Sequence, residues 1–147
     1  MTSAEPLRVR VYVDGGSRGN PGPAGAGVVI LDRSDGAAVY EGGIFIGRAT
    51  NNVAEYRGLL AGLETAARLG AGDVEVVSDS ELLVRQMTGE YRVRNADLQK
   101  LHARAQELAG GFGRCSFRHV RREKNTRADG LANQAINLKR NVESAAG

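Results

Sequence analysis

Four acidic residues stand at the boundaries of predicted strands and helices, and together they could form a metal-binding site. They are Asp14, Glu55, Asp79 and Asp129. Asp14 ends the first predicted strand, and Asp79 directly follows the fourth. If these two strands pair in parallel, their carboxyl ends meet at one edge of the sheet, where sites form in open sheets. The pattern therefore predicts that Asp14 and Asp79 lie together.

The donor atoms of such a site would all be carboxylate oxygens. Carboxylates gathered in one place repel each other unless cations hold them. The chain has only two His and one Cys, and they do not cluster with the acids. Hard oxygen ligands of this kind favour Mg²⁺, with Mn²⁺ as its substitute.

Each acid also has a purely structural explanation. The pairs Asn52/Glu55 and Thr126/Asp129 have the spacing of a capping box, in which the acid only satisfies backbone donors. Asp79 fits an N-cap position, and an Asp before two glycines fits a turn. For any single acid these explanations are the more frequent ones, so the prediction of a site depends on all four occurring together.

The elements that would position these acids alternate between strands and helices. Hydrophobic periodicity predicts strands over residues 8–14, 28–31, 38–46, 74–77 and 115–121, and helices over 52–69, 80–87, 98–108 and 126–138. Residues 15–27 are rich in Gly and Pro and are predicted to form a loop. This order indicates an α/β fold, a mixed sheet with helices on its faces.

Composition narrows the class of protein further. The 147 residues fit one domain, and no apolar run approaches the roughly 20 residues of a membrane helix. The N-terminus shows no signal-peptide core, and the single Cys115 fits a reducing cytoplasm. Residues 1–80 carry 7 basic and 10 acidic residues, whereas residues 81–140 carry 13 basic and 6 acidic. The basic second half suggests a polyanionic partner, although a solvated surface explains it equally well.

Four segments resemble the motifs of type 1 ribonucleases H, in the order of that family. They are DGGSRGNPG at 14–22, TNNVAEY at 50–56, SDS at 78–80 and NTRADGLA at 125–132. The resemblance covers residues 8–138, almost the whole chain. It implies a ribonuclease H-like fold with a five-stranded mixed sheet, in which the first three strands are antiparallel, flanked by helices. It also implies a domain over residues 1–140, with residues 141–147 a frayed tail or the start of a linker.

The same resemblance implies the activity and its cofactor. Asp14, Glu55, Asp79 and Asp129 would be catalytic and would hold two Mg²⁺ ions. Two such metals can clamp a scissile phosphate, one activating water and the other stabilising the leaving oxygen. The implied reaction is endonucleolytic hydrolysis of the RNA strand of an RNA–DNA hybrid, which leaves 5′-phosphate and 3′-hydroxyl ends.

The resemblance further implies a set of substrate-binding residues. Asn20, Asn51 and Asn52 match minor-groove contacts to both strands, and an amide suits this role because it both donates and accepts hydrogen bonds. Arg48 and Thr50 match a pocket for a phosphate of the DNA strand. Without the motifs, capping and turn formation, which Asn favours, would be the preferred explanation of the asparagines. The expected partner is an RNA–DNA hybrid and not a membrane, the expected state is a monomer, and a fused C-terminal domain is compatible with the sequence.

The chain departs from the family pattern at several points. Glu81 replaces an amide that often contacts RNA, a basic insertion near residues 89–95 is missing, and there is no Trp. The missing insertion and the missing Trp predict weaker hybrid binding than in family members that have them, and Glu81 removes the expected amide contact to RNA. His119 has the spacing of a catalytic His, ten residues before Asp129, but it lies in a predicted strand with its side chain toward the core, so we expect no proton-shuttle role. The alternatives are a non-catalytic hybrid-binding module and related metal-dependent resolvases or exonucleases.

Overall fold

The computed structural model describes residues 6–144. In chain order the elements are β1 (Leu7–Ser17), β2 (Gly22–Asp32), β3 (Ala38–Ala49), α1 (Asn51–Arg68), β4 (Ala71–Ser78), α2 (Glu81–Met87), α3 (Ala96–Gly110), β5 (Arg114–His119), a 3-10 turn (Arg122–Lys124), α4 (Thr126–Leu138) and β6 (Val142–Ser144). None of the helices within these residues is long and apolar enough to cross a membrane.

All six strands form one mixed sheet in the order β5-β4-β1-β2-β3-β6. Strands β1, β2 and β3 are antiparallel neighbours, whereas β4 pairs in parallel with both β1 and β5. The predicted antiparallel meander and the predicted parallel pairing of the first and fourth strands are therefore confirmed.

The main core lies between α1 and one face of the sheet. Alternation along β1 places Val9, Val11 and Val13 on this face, where they are buried. Helix α1 buries Leu59 and Leu63 against them because apolar residues recur along it with helical spacing. The alternate residues of β1, Asp14 among them, point to the opposite face, which α4 partly covers.

Strands β1 and β2 are longer than the sequence predicted. Only residues 18–21 separate them, so most of the predicted loop at 15–27 is paired sheet. Gly and Ala normally disfavour strands, but here they let helices lie directly on the sheet. A Cβ atom at Gly25 would lie 2.8 Å from the carbonyl oxygen of Ala132 in α4, and one at Gly27 only 1.9 Å from that of Ala128.

The prediction of five strands is wrong, because the segment after α4 adds a sixth. Residues Val142–Ser144 pair antiparallel with β3, with Val142 opposite Gly43. A frayed tail was predicted from residue 141, but tertiary pairing with the edge of the sheet orders this part of it. The rest of the predicted tail, residues 145–147, lies outside the described residues.

Candidate active site

All four of the predicted acidic residues lie around one cleft of about 240 Å³. The cleft is at the side of the sheet where β4 ends. The pairing of β1 with β4 accounts for two of them. Val13 lies opposite Ser78 in the parallel register, so the next residues, Asp14 and Asp79, lie side by side where β4 ends. The predicted proximity of these two side chains is therefore confirmed. Asp14 was predicted to end the first strand, but β1 continues to Ser17 because residues 14–17 still pair with β2.

Glycine contacts bring the other two acids to this cleft. A Cβ atom at Gly15 would lie 2.2 Å from the carbonyl oxygen of Ala54, so the first turn of α1 lies directly on β1 and carries Glu55 with it. On the opposite face, the close approach of Ala128 to Gly27 seats the start of α4. The next residue of that helix is Asp129.

Other residues cap the helices that carry or follow these acids. Thr50 caps α1 by accepting a hydrogen bond from the backbone N–H of Val53, and Ser80 caps α2 in the same way. Asn125 precedes α4 without a capping side-chain bond. The two capping boxes that offered an alternative explanation of Glu55 and Asp129 are not formed, and Asp79 is not an N-cap. Helix capping, the structural explanation that competed with a metal site, therefore does not account for Glu55, Asp79 or Asp129.

Burial, together with neighbouring carboxylates, raises the pKa values of Asp14, Glu55 and Asp79. Burial, then the charge of Asp79 and a hydrogen bond with Asp129, raise the pKa of Asp14 to about 8. Burial raises the pKa of Glu55 to about 6, although a hydrogen bond from Ser80 opposes this. The pKa of Asp79 is also raised, mainly by burial, and the positive charge of Arg122 opposes the rise. Negative charge in this cleft is therefore only partly balanced by the protein.

The donor set fits a hard divalent cation. It consists of carboxylate oxygens, which Mg²⁺ prefers, and a cation would relieve the repulsion that raises the pKa values. Within residues 6–144, no group of three or more His, Cys, Asp or Glu side chains is already arranged as a metal-binding cluster. The carboxylates surround an open cleft, and a bound phosphate could complete the coordination of an ion there.

The predicted substrate-binding asparagines lie beside the carboxylates. Asn51 lines the same cleft, and its Oδ1 accepts a hydrogen bond of 2.7 Å from the backbone N–H of Ser17. Asn20 accepts a bond of 3.2 Å from the backbone N–H of Asn51. Asn20, Thr50 and Asn52 line a second cleft of about 210 Å³ next to the first. Arg48 lies at the exposed end of β3 and lines neither of these two clefts.

Several residues of these clefts were not singled out from the sequence. Arg18 reaches the side-chain oxygen of Asn133 at 3.4 Å, and both line the carboxylate cleft. The spacing of Asn133, four residues after Asp129, was an available signal because such residues share a helix face. Asn95 lines the second cleft, and no local pattern indicates this.

His119 is placed differently from the prediction. It lies in β5, as expected, but its side chain is exposed rather than turned to the core. It does not line the carboxylate cleft, whereas Arg122 in the following turn does. The strand ends at residue 119 instead of 121, so the core no longer surrounds this position.

Comparison with known proteins agrees with this fold. The reverse transcriptase-like family model matches residues 12–135. A ribonuclease HI from Halobacterium salinarum is 51% identical over 129 residues, covering 88% of this chain and 64% of the relative. A ribonuclease H from Sulfurovum is 34% identical and is covered over 93% of its length. The chain spans only 36% of the bifunctional protein Rv2228c of Mycobacterium tuberculosis, to which it is 51% identical over 130 residues.

Among solved structures, too, this chain is similar to ribonucleases H. The RNase H1 of Halobacterium salinarum superposes with a TM-score of 0.86 at 50% identity, covering 89% of this chain and 98% of that one. LC11-RNase H1, solved in complex with an RNA/DNA hybrid, superposes with a TM-score of 0.85 at 44% identity. The match covers 90% of this chain and 99% of that one. The mixed sheet and carboxylate cleft thus define an α/β domain of the reverse transcriptase-like class. Within that class, the chain belongs to the ribonuclease H family.

Proposed function

We propose that this chain hydrolyses the RNA strand of RNA–DNA hybrids in the cleft formed by Asp14, Glu55, Asp79 and Asp129. The observation that carries the proposal is the convergence of these four carboxylates, from four separate segments, in one cleft. Burial and neighbouring negative charge raise the pKa values of Asp14, Glu55 and Asp79 there. Such repulsion does not stabilise the fold, whereas clustered carboxylates are what a cation-binding site requires.

The cofactor we propose is Mg²⁺, two ions per site, with Mn²⁺ as a substitute. When bound, the ions supply the Lewis acidity that activates water and stabilises the leaving 3′ oxygen, giving 5′-phosphate and 3′-hydroxyl ends. Asp14 would hold them from β1, Asp79 from the end of β4, and Glu55 and Asp129 from the two helices. The hydroxyl of Ser80 orients the carboxylate of Glu55 through the hydrogen bond between them.

The second cleft supports the choice of a hybrid as substrate. Asn20, Asn51 and Asn52 present amide groups that can donate to and accept from minor-groove edges and 2′-hydroxyl groups, and the 2′-hydroxyl distinguishes RNA from DNA. Thr50 and the exposed Arg48 would bind a phosphate of the DNA strand. A relative with 44% identity was solved with an RNA/DNA hybrid bound, which favours the same substrate here. We further propose, from the single cysteine, that the protein acts in the cytoplasm.

The test is a single-turnover cleavage assay on four end-labelled duplexes: the RNA–DNA hybrid, duplex DNA, duplex RNA and a hybrid with a single ribonucleotide. We expect cleavage of the hybrid with Mg²⁺ or Mn²⁺ and none of duplex DNA. Glu55→Gln and Asp79→Asn should each abolish cleavage, because losing a metal ligand removes several kcal/mol of transition-state stabilisation.

The matched control is Glu64→Gln, which neutralises an exposed acid on α1, the helix that also carries Glu55. It should cleave like the wild type, and circular dichroism should show that all variants are folded. Cleavage of duplex DNA at a comparable rate would favour a resolvase or exonuclease activity. Binding of the hybrid without cleavage in either metal would favour a hybrid-binding module.

A further inference from the structure

Asn125 links two of the elements that carry the carboxylates. It directly precedes α4 and is 2% exposed. Its Nδ2 donates a hydrogen bond of 2.8 Å to the backbone carbonyl oxygen of Val13, 112 positions earlier in the chain. Val13 is the residue before Asp14. The backbone carbonyl of Asn125 in turn accepts a bond of 3.2 Å from the N–H of Asp129. Asn125 is therefore hydrogen-bonded both to the backbone next to Asp14 and to the backbone of Asp129.

The usual reason for an Asn at this position does not apply. Residues before a helix normally cap it by accepting from the backbone N–H two or three positions on, but Asn125 makes no such bond. Within the described part of the chain, its buried Oδ1 has no hydrogen-bond partner. Leaving a buried acceptor unsatisfied costs about 1–3 kcal/mol. A side chain selected to start the helix or to fill space would avoid this cost.

The packing of α4 explains why such a link has an effect. The helix lies on glycines of the neighbouring strands, since Cβ atoms at Gly27 in β2 and Gly43 in β3 would collide with the carbonyl oxygens of Ala128 and Leu131. These contacts fix the height of α4 above β2 and β3. The bond from Asn125 instead ties the start of the helix to β1, the strand that carries Asp14.

We propose that Asn125 is a positioning residue that sets the separation of Asp14 and Asp129, and through it the affinity of the cleft for Mg²⁺. This inference rests on the proposed function. Hydrogen bonds that orient metal ligands typically contribute about 10–100-fold in metal affinity or activity. Asn125 touches neither substrate nor ion in this arrangement and acts through the backbone of the two acids.

The test compares Asn125→Ala and Asn125→Ser with the wild type. Serine keeps a polar group in the buried position, but its hydroxyl lies about one bond closer to the backbone, so it cannot reach the carbonyl of Val13 without movement of α4. The control is Thr65→Ala, which removes a buried side-chain hydrogen bond ten residues after Glu55, about 15 Å farther along α1. Mg²⁺ dissociation constants are measured by calorimetric titration, and kcat and KM on the hybrid at fixed Mg²⁺.

We expect the Mg²⁺ dissociation constant of both Asn125 variants to rise about 10–100-fold. Their kcat should fall while KM for the hybrid changes less than about twofold, and Thr65→Ala should match the wild type in metal affinity. Unchanged metal affinity in a folded Asn125 variant would overturn the inference. So would loss of folding in both variants, because Asn125 would then serve the stability of the whole domain. If the wild type itself bound no Mg²⁺, the proposed function would fail instead.

Discussion

Neutralising Asp14 should stabilise the metal-free protein while it abolishes the proposed activity. In the folded chain, burial and the neighbouring acids raise the pKa of Asp14 from an ordinary value of 3.8 to about 8. Because the folded-state pKa is the higher one, the stability associated with this group is fully present below about pH 4 and is lost as the pH rises through about 8. At neutral pH the carboxyl therefore opposes folding.

The size of the effect follows from the two pKa values. A carboxyl with a pKa of about 8 when folded and about 3.9 when unfolded destabilises the protein by about 4 kcal/mol at pH 7. Asparagine remains a buried polar group that needs hydrogen-bond partners of its own. We therefore expect Asp14→Asn to raise the free energy of unfolding at pH 7 by about 1–4 kcal/mol. For a domain of this size each kcal/mol corresponds to about 2–4 °C in Tm.

The assay is urea and thermal unfolding in EDTA between pH 4 and 9, with Glu64→Gln as the control for removing an exposed acid. The gap in free energy of unfolding between Asp14→Asn and the wild type should increase with pH and be absent near pH 4. Added Mg²⁺ should stabilise the wild type and narrow the gap, since a ligand stabilises the state that binds it. The reasoning is refuted if the variant is no more stable than the wild type at pH 8, or if the same gap persists at pH 4.

Three further predictions follow from the geometry of the site. Gly15→Ala should destabilise the fold by several kcal/mol and lower cleavage, because its Cβ would lie 2.2 Å from a backbone carbonyl oxygen, a clash of the overpacking kind. Gly16→Ala, whose added Cβ would have its nearest neighbour at 3.9 Å, should have the melting temperature of the wild type. Equal melting temperatures of the two variants would contradict the close approach at Gly15. His119→Ala should lower kcat less than about tenfold at every pH, because general acid–base catalysis is typically worth about 10²–10⁴-fold and the exposed ring does not line the carboxylate cleft; a hundredfold loss with a flattened pH profile would show that it is the proton shuttle. Hybrid binding by Asp79→Asn, titrated across salt, should show the shallow dependence of roughly three to five phosphate contacts, whereas a slope near ten contacts would mean that the basic second half of the chain replaces the missing insertion.

The elements with strong periodicity could be predicted from the sequence. Alternating Val residues in β1 and the apolar stripe of α1 specify a strand and a helix locally, since each pattern buries one face in only one type of element. The helix at residues 126–138 was predicted with the same bounds as α4. The pairing that brings Asp14 beside Asp79 also followed from the sequence, because each acid directly follows an apolar strand segment and parallel pairing aligns the two segments, although β1 continues past Asp14 to Ser17.

The failures have one physical cause, which is that contacts distant in sequence override local preference. Gly25 and Gly27 belong to a strand because α4 lies against them, although their type indicates a loop. Val142 is ordered by pairing with β3 about a hundred residues earlier.

The sequence by itself thus determined the family resemblance, the residue types of the site and the elements that carry them, because motif spacing and hydrophobic periodicity are local properties of the chain. Only the tertiary structure decided that the four acids share one cleft and what each is bonded to. It alone showed that Asn125 reaches Val13 across 112 positions and that His119 is exposed. Distances between side chains depend on how close two backbones approach, and that is set by packing of the whole chain rather than by any segment of it.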